Sequence, residues 1–489
     1  MLIEFRCDPS RKRAWMDGIA IDVRGERADT RIAWVDGGKP PAGLDALFEL
    51  ERMLLRKGQP LSADPAPGVG RALADRGPAP DIVIDFTDRP CDAAGTARMY
   101  LRPLYNGAAG EDAALAAILA GDLPLIEIVE ESTGATLDRG WPSAEVAAGL
   151  SGHLDAVIAR TMTLLRAILS GSPRLPIIQH IVARGAAKTP LAYVARGLAH
   201  AVARRIYHLC CYAPHWHIGW RLIDGAGVWE TGDLSGAPWQ RLADPGNRFF
   251  ADPFPVTWQG RTFVYFEDLD HRIGKGTISA IEFDGRGPIG AVVPVLEEPW
   301  HLSYPFLIED GGELWMIPES SGNRDVALYR CVSFPDTWQR HATLLDGLEL
   351  ADATVTRHGG LYYLFGAIRD GAGGYSDTLA IYVAERLAGP WLPHAANPIL
   401  IDRAQARPAG NMTVIDGKLW RPVQDCAQGY GAALALAEVT ELSPTTFRQQ
   451  VRPSIRPGPA WPGRKFHTLN RAGRLEVIDG SRIQPKWFR

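Results

Sequence analysis

The sequence lacks the features of several large protein classes. Its 489 residues carry 52 Lys and Arg against 56 Asp and Glu, a net charge of −4, which excludes a nucleic-acid binder that works by overall positive charge. No stretch approaches the roughly 18 uninterrupted apolar residues of a membrane span, and the N-terminus shows no basic flank followed by a long apolar stretch. We therefore expect neither a membrane-spanning nor a secreted protein.

Cysteine is scarce and scattered along the chain. The six residues are Cys7, Cys91, Cys210, Cys211, Cys331 and Cys426, and none of them form a C-x-x-C motif. This pattern indicates neither a disulfide framework nor a zinc site, so we expect reduced thiols and a cytoplasmic protein. No G-x-G-x-x-G or phosphate-binding loop motif occurs either, so the sequence identifies no cofactor.

What the sequence does contain is two different patterns that meet near residue 210. Before this point, strand-like runs at 81–86 and 125–129 alternate with helical patterns at 111–119 and 154–169. After it, aromatic strands of four to eight residues recur between Gly, Asp-Gly and Pro turns. Because 489 residues also exceed the size of one core, we predict two domains. They are an α/β domain over 1–170 and an all-β domain over 215–489, with a linker over 171–214.

The linker contains a pattern typical of an amphipathic helix from Pro190 to Tyr207. The apolar stripe is Leu191, Val194, Leu198, Val202 and Ile206, with Arg196, Arg204 and Arg205 between its members. We predict that this stripe packs on protein. The alternative is a helix that makes peripheral contact with a membrane surface, since basic amphipathic helices bind anionic lipid.

A repeat of about 50 residues runs through the second half of the chain. Each copy is a strand, a tight Gly-containing turn and a second aromatic strand, followed by further strand-like segments. The copies begin at Ala251, Ser303, Ala351, Ala409 and, more weakly, His467. Four strands in each of five repeats are typical of a five-bladed β-propeller. We expect residues 216–222 to close the ring against the last blade.

In a propeller, the start of each first strand and the end of each second strand lie at the same end of the central channel. Those positions hold Asp252 and Glu267, Tyr304 and Glu319, Asp352 and Ala367, and Gly410 with Gln424 and Asp425. Such a group of carboxylates suits glycosidic chemistry. One carboxyl group can protonate a leaving oxygen while another activates water or stabilises an oxocarbenium-like transition state.

Several motifs in these repeats resemble known propellers. FADPF at 250–254, MIPES at 316–320 and ADAT at 351–354 resemble the five-bladed propellers of glycoside hydrolase family 43 and its invertase and levansucrase relatives. HLSYPF at 301–306, RPAG at 407–410 and RPVQDC at 421–426 are more similar to another propeller. It is the N-terminal domain of plant glucosamine inositolphosphorylceramide transferases, which also occurs in bacterial proteins. The resemblance covers about residues 215–489.

The hydrolase resemblance implies roles for three acids, with Asp252 as base or nucleophile, Asp352 tuning a pKa and Glu319 as general acid. We predict these three as catalytic residues. The predicted substrate-binding residues are Glu267, His301, Tyr304, Arg407, Gln424, Asp425 and His467. No metal ligand is predicted, because His215 and His217 alternate on one strand without a nearby acidic partner in the sequence.

These residues predict a carbohydrate-active protein that hydrolyses or transfers a glycosyl unit, in bacterial surface glycan or glycolipid metabolism. The transferase resemblance implies an alternative, because in that family the transfer chemistry is expected from a separate C-terminal domain. The propeller would then hold a sugar or glycolipid without reacting with it and would act with a separate glycosyltransferase partner.

The first domain resembles part of a formyltransferase catalytic domain. The matching motifs are the strand at 81–86, the segments 100–104 and 125–129, and TGATLDRG at 133–140 ahead of a helix. Formyltransferase chemistry needs an Asn, a His and an Asp, but no His precedes Gly152 and Asn106 is the only Asn in that region. We therefore expect a degenerate domain that serves dimerisation or recruitment, with formyl transfer to a sugar amine as the alternative.

Overall fold

The structure is a computed structural model in which the chain divides into two compact units. The described residues are 1–19, 21–23, 26–36, 41–56, 58–66, 78–89, 97–145, 148–172, 188–371, 373–461 and 463–486. The first unit is Met1–Arg204 with Asp370–Gly374, and the second is Arg205–Arg369 with Tyr375–Arg489. Cys91 and residues 173–187 of the predicted linker lie outside the described residues, and the other five cysteines are free thiols.

The first unit is built on a mixed β-sheet. Its strands are β1 (Leu2–Cys7), β2 (Asp22–Val23), β3 (Glu26–Arg27), β4 (Asp29–Trp34), β5 (Ile82–Asp85), β6 (Met99–Tyr105), β7 (Ala108–Ala109), β8 (Ile126–Glu130) and β9 (Ala135–Gly140). Its helices are α1 (Leu44–Leu54), α2 (Glu111–Ala120), α3 (Gly149–Leu169) and most of α4 (Pro190–Cys210), with 3-10 turns at Pro9–Arg11 and Ala14–Gly18. The sheet order is β4-β1-β5-β6-β8-β9, parallel from β4 to β6 and antiparallel beyond, with β7 on β6 and a separate β2–β3 pair.

The apolar runs of the first unit explain its central elements. Strand β5 is buried along its whole length, as expected for a parallel strand that is covered on both faces. The strand and helix patterns expected at 81–86, 111–119, 125–129 and 154–169 correspond to β5, α2, β8 and α3. The likeness of this unit to a formyltransferase rests on the sequence motifs alone and stays a prediction.

Helix α4 corresponds to the helix expected from Pro190 to Tyr207, but its burial differs from the prediction. Val194 is buried, whereas Leu198 is only half-buried and Val202 is 60% exposed. The prediction that the apolar stripe packs on protein is therefore wrong for most of the helix. An amphipathic pattern places apolar residues on one face, but it does not specify what covers that face.

The second unit confirms the five-bladed propeller. Blade 1 contains β12 (Arg248–Trp258), β13 (Arg261–Asp270), β14 (Lys275–Phe283) and β15 (Pro288–Leu296), and blade 2 contains β16 (Ser303–Asp310), β17 (Glu313–Ser320), β18 (Asp325–Ser333) and β19 (Thr337–Asp346). Blade 3 contains β20 (Leu350–His358), β21 (Leu361–Ile368), β22 (Thr378–Ala384), β23 (Leu392–Pro393) and β24 (Leu400–Ile401). Blade 4 contains β25 (Thr413–Ile415), β26 (Lys418–Asp425), β27 (Ala433–Leu442) and β28 (Phe447–Val451). Blade 5 contains β10 (Cys211–Leu222), β11 (Gln240–Arg241), β29 (Leu469–Ala472) and β30 (Leu475–Pro485).

Short turns join the first two strands of each blade. Between β12 and β13, Trp258 pairs with Arg261, so Gln259 and Gly260 form a two-residue turn. Their φ values are 50° and 76°, the left-handed conformation that a type I′ hairpin turn requires at both positions. Helix α5 (Val228–Thr231) and a 3-10 turn at Ser321–Asn323 lie between other strands.

The ring is closed within blade 5 by strands from both ends of the propeller. Strand β10 pairs antiparallel with β30, and Trp216 and Leu222 lie opposite Ser481 and Leu475. This pairing confirms the predicted closure by residues 216–222. The sheet order β11-β10-β30-β29 places β29 at the inner edge, so the first strands of the propeller form the outer half of its last blade.

A buried ion pair joins the two closing strands. The guanidinium of Arg221 on β10 donates from Nε to Glu476 Oε2 on β30 over 2.9 Å, and both side chains are at most 1% exposed. The other carboxylate oxygen of Glu476 accepts the Val228 N–H over 2.9 Å. The Arg221 guanidinium also lies over the Trp239 ring, 4.3 Å from its centroid. The charge of each partner is thus compensated by the other within the protein.

We expect Glu476→Gln to lower the free energy of unfolding by about 3 kcal/mol or more, because it leaves the Arg221 charge buried without a counter-ion. Denaturant unfolding measures the change. The matched control is Glu282→Gln, which breaks the exposed Arg261–Glu282 pair of blade 1 and should cost less than about 1 kcal/mol. Equal costs for the two variants would contradict a closing role for the buried pair.

Candidate functional site

Three inner strands of the propeller share a backbone irregularity at the same repeat position. The pairing register shifts within 251–254 of β12, 303–306 of β16 and 351–354 of β20. In each segment one non-glycine residue has positive φ, with values of 50° for Asp252, 41° for Tyr304 and 58° for Asp352. This left-handed backbone costs about 1–2 kcal/mol per residue, and bulges of this kind re-aim side chains. All three side chains are buried.

Asp252 belongs to a buried ion-paired group with His467 and Asp479. His467 Nε2 lies 3.1 Å from Asp252 Oδ1, and His467 Nδ1 lies 2.9 Å from Asp479 Oδ2. The contact between His467 Nδ1 and Asp479 is within the distance of an ion pair but lacks the alignment of a hydrogen bond. The Thr468 hydroxyl donates to Asp252 Oδ1 over 2.6 Å. Both ring nitrogens of His467 therefore face carboxylates.

This arrangement sets the charge of the group. Burial disfavours the charged form of His467, but attraction to Asp479 and Asp252 outweighs it and raises the pKa to about 10. Burial also opposes ionisation of Asp252, yet His467 and the hydrogen bond from Thr468 lower the pKa of that carboxyl group. At neutral pH the group thus contains an imidazolium between two carboxylates.

Asp352 forms a second buried group with residues of blade 4. Its Oδ2 accepts from Arg407 Nε over 2.6 Å and from Gln424 Nε2 over 2.9 Å. The guanidinium of Arg407 lies over the Tyr430 ring, 4.8 Å from its centroid. Burial raises the pKa of Asp352 to about 7, because the repulsion from Glu319 and Asp252 adds to it and the attraction of Arg407 only partly opposes it. This carboxyl group therefore carries a proton in part of the molecules near neutral pH.

Glu319, at the end of β17, faces the same space. Its carboxylate accepts hydrogen bonds from the hydroxyls of Ser303 over 3.1 Å and Ser321 over 2.6 Å. Its charge acts on Asp352, as the raised pKa of Asp352 shows. Carboxyl groups from blades 1, 2 and 3 are thus close enough to influence one another.

Glu267 and His301 form a pair beside these acids. His301 Nε2 lies 3.3 Å from Glu267 Oε1, and His301 Nδ1 accepts the Gly276 N–H over 2.9 Å. A ring nitrogen that accepts a hydrogen bond carries no proton, so Nε2 donates to Glu267. Burial raises the pKa of Glu267, although His301 opposes the rise. The His301 side chain is 41% exposed, so solvent reaches this pair.

Tyr304 connects blades through its hydroxyl. The Tyr304 Oη lies 2.8 Å from Thr354 Oγ1 of blade 3 and accepts the Gly410 N–H over 2.7 Å. The side chain is fully buried. Its hydroxyl is therefore used within the protein, which favours a role in fixing the blades.

The structure brings nine of the ten predicted site residues into these connected groups. They are Asp252, Glu267, His301, Tyr304, Glu319, Asp352, Arg407, Gln424 and His467. The exception is Asp425, whose Oδ2 accepts from the Ser454 hydroxyl over 2.6 Å and lies 3.5 Å from Arg456. Successive residues of a strand face opposite sides, so Gln424 contacts Asp352 while Asp425 points away.

Sequence reasoning missed three residues of the site, namely Asp479, Thr468 and Tyr430. Asp479 is the informative case, because it follows Gly473 by six residues, whereas Glu267 and Glu319 follow Gly260 and Gly312 by seven. The fifth copy has a differently placed turn, with Ala472 paired to Leu475. An acid in the second strand of that copy was nevertheless visible in the sequence.

Two groups of histidines bear on metal binding. The donor atoms of Asp252, His467 and Asp479 lie within 4.8 Å of one another. They could ligate a cation only after His467 loses its proton, because an imidazolium has no free lone pair. His215, in contrast, contacts His271 of the β13–β14 turn over 3.0 Å and Asp244 over 3.3 Å.

We expect the His467 imidazole to remain doubly protonated through pH 8, because two carboxylates raise its pKa to about 10. The folded pKa exceeds the ordinary value of about 6.5, so the stability gained is complete below pH 6.5 and is lost as pH rises through 10. Side-chain NMR checks this. His217, whose pKa is lowered to about 4 by burial and nearby arginines, serves as the control that stays neutral at pH 8. Loss of the His467 proton near pH 6.5 would contradict the ion-paired arrangement.

Comparisons with solved structures return glycoside hydrolases at low similarity. A thermostable family-43 glycoside hydrolase is 16% identical with a TM-score of 0.33, covering 43% of this chain and 77% of that one. The catalytic domain of the Coprinopsis cinerea GH62 α-L-arabinofuranosidase is 14% identical with a TM-score of 0.36, covering 46% and 78%.

Comparisons of sequence return a family model and plant relatives that are similar to the propeller. Residues 236–479 match the family model described as "Glucosamine inositolphosphorylceramide transferase 1, N-terminal". The protein of that name from Arabidopsis thaliana is 31% identical over 281 residues, which are 54% of this chain and 36% of the relative. The one from Oryza sativa subsp. japonica is 30% identical over 254 residues, 49% and 34% of the two chains. The chain thus spans about a third of the length of these curated relatives. The resemblance that the motifs indicated is confirmed, and the propeller of this chain is similar to the N-terminal domain of glucosamine inositolphosphorylceramide transferases.

Proposed function

We propose that the propeller binds a glycosyl unit at the group of carboxylates and hydrolyses or transfers it there. The observation that carries this proposal is that the pKa values of two buried acids are shifted in opposite directions. Asp252 is held ionised by His467, while Asp352 retains a proton in part of the molecules near neutral pH. Glycosidic chemistry needs one ionised and one protonated carboxyl group on either side of the reacting bond.

In this mechanism Glu319 is the general acid and Asp252 is the base or nucleophile. Asp352, whose pKa is raised by burial and by the Glu319 charge, acts on Glu319 through their mutual repulsion. His467 and Thr468 position the Asp252 carboxylate. Glu267 and His301, on the more exposed side, are placed to bind sugar hydroxyls.

The family match supports a carbohydrate or glycolipid ligand. The curated relatives are named for glucosamine and inositolphosphorylceramide, so an amino sugar and a glycolipid headgroup are the first ligands to test. Bacterial surface glycan metabolism remains part of the proposal as the biological setting, and the cytoplasm remains the proposed location.

A second candidate is a propeller that binds the sugar without reacting with it, beside a separate glycosyltransferase. The observation that favours it is that the carboxylates of Asp252 and Asp352 are both engaged by cations, His467 and Arg407. Such pairs can fix a rigid binding surface without any chemical step.

For the first unit we propose a formyltransferase-like domain without formyl-transfer chemistry. His153 is the first His of the chain, and its Nδ1 lies 2.6 Å from the Tyr193 hydroxyl on α4. Burial lowers its pKa to about 4, so it is neutral and engaged within the unit. In place of formyl transfer we propose a recruitment or dimerisation role for the unit.

We expect Glu319→Gln to lower turnover of activated glycosides or nucleotide sugars by about a hundredfold or more, because it removes the proton that general acid catalysis transfers. Sugar binding, followed by calorimetry, should change little. The matched control is Glu313→Gln at the other end of the same strand β17, where the carboxylate pairs with exposed Arg330. That variant should keep both turnover and binding.

Two outcomes decide between the candidates. Turnover in the wild type that Glu319→Gln leaves intact would remove Glu319 from the mechanism. No turnover on any substrate, together with sugar binding that Glu319→Gln weakens, would establish the binding propeller in place of the enzyme.

A further inference from the structure

We propose that helix α4 docks this protein on the surface of an anionic lipid bilayer. The helix exposes four large apolar side chains, with Leu191, Val202, Ile206 and Leu209 between 56% and 68% exposed. Among the described residues of the propeller, Ile273, Val332, Leu392 and Val414 are as exposed, but they lie on different strands or turns as single residues. Scattered apolar residues are ordinary on a surface, whereas an aligned set marks an interaction site.

The four side chains lie along the same side of the helix. They are separated by 11, 4 and 3 residues, and at about 100° per residue they fall within an arc of about 60°. Arg196 lies about 80° beyond one edge of this arc and Arg205 about 40° beyond the other, so the two arginines flank the apolar face. At about 1.5 Å per residue, the 21 residues of α4 extend about 30 Å, so the apolar face can lie along a bilayer surface.

The charge around this face selects an anionic partner. No Asp or Glu occurs between Asp155 and Asp224, although the chain as a whole has a net charge of −4. Arg196 and Arg205 are exposed on the helix, and Lys188 precedes it. Two copies of such a face would bring only positive charges together, which disfavours a dimer through this helix. An anionic lipid surface attracts the same charges and buries the same apolar side chains.

The geometry favours a helix that lies on the membrane. Within the ranges that the structure describes, no helix is long and apolar enough to cross a bilayer. Three Arg and two His interrupt α4, which is typical of an interfacial helix with its basic residues at the lipid headgroups. The docking surface is therefore defined as Leu191, Val202, Ile206 and Leu209 together with Arg196 and Arg205.

The test is co-sedimentation of the full chain with vesicles of phosphatidylcholine alone or mixed with phosphatidylglycerol. We expect binding to the mixed vesicles that weakens with added salt, and little binding to phosphatidylcholine alone. Combined Val202→Ser, Ile206→Ser and Leu209→Ser should weaken binding about a hundredfold or more. Combined Arg196→Gln and Arg205→Gln should weaken it about fivefold for each charge removed.

The matched control combines Ile273→Ser, Val332→Ser and Leu392→Ser, which removes equally exposed apolar side chains from the propeller and should leave binding unchanged. Circular dichroism checks that every variant is folded. Equal loss of binding in the control, or no binding of the wild type to anionic vesicles, would overturn the proposal. So would light scattering that shows a dimer dissociated by the α4 serine variant, because the apolar face would then be covered by a second copy.

Discussion

Antiparallel pairing of β10 with β30 is the constraint on which the propeller depends. Each of the other four blades is made from one contiguous segment, but the fifth exists only when strands from both ends of the propeller meet. The same blade supplies His467, Thr468 and Asp479 to the acidic site. Closing the ring and assembling the site are therefore one event, and an open ring would leave Asp252 without its counter-charge.

Electrostatic balance explains how so many acids can be buried together. A carboxylate that is taken out of water is costly unless a cation or hydrogen-bond donors replace the solvent. His467 does this for Asp252 and Asp479, and Arg407 does it for Asp352. The compensation is incomplete at Asp352, where the pKa rises to about 7. A proton that can be exchanged near neutral pH is thus a consequence of burying Asp352 close to the charges of Glu319 and Asp252, which Arg407 only partly offsets.

The sequence predicted the blades well because glycines mark the turns between their strands. Glycines recur at matched positions in four copies, and the alternation around them sets which side chains face inward. The prediction was less accurate where one residue decides the outcome. Gln424 and Asp425 are neighbours with opposite orientations. Asp479 lies four residues after Leu475, the first residue of its strand, whereas Glu267 and Glu319 lie six residues after the corresponding Arg261 and Glu313.

Helix α4 shows a different limit of sequence reasoning. Its periodicity predicted both the helix and its apolar face, and both are present. Burial, however, depends on whether another surface is available, and only Val194 of the stripe is buried. The hydrophobic pattern of a helix therefore identifies the side chains that can be buried. The tertiary structure determines which of them are buried.

Because the ring closes within one blade, the propeller is also a module that can be joined to different domains. Cys211 at the start of β10 lies opposite Pro485 near the end of β30, so the two ends of the propeller segment are adjacent. Modules with adjacent ends tolerate insertion into other chains and circular permutation. A domain fused before residue 211 and one fused after residue 486 would be attached to the propeller at neighbouring points. Recombination could thus exchange the domains attached to this propeller while its channel and acidic residues stayed intact.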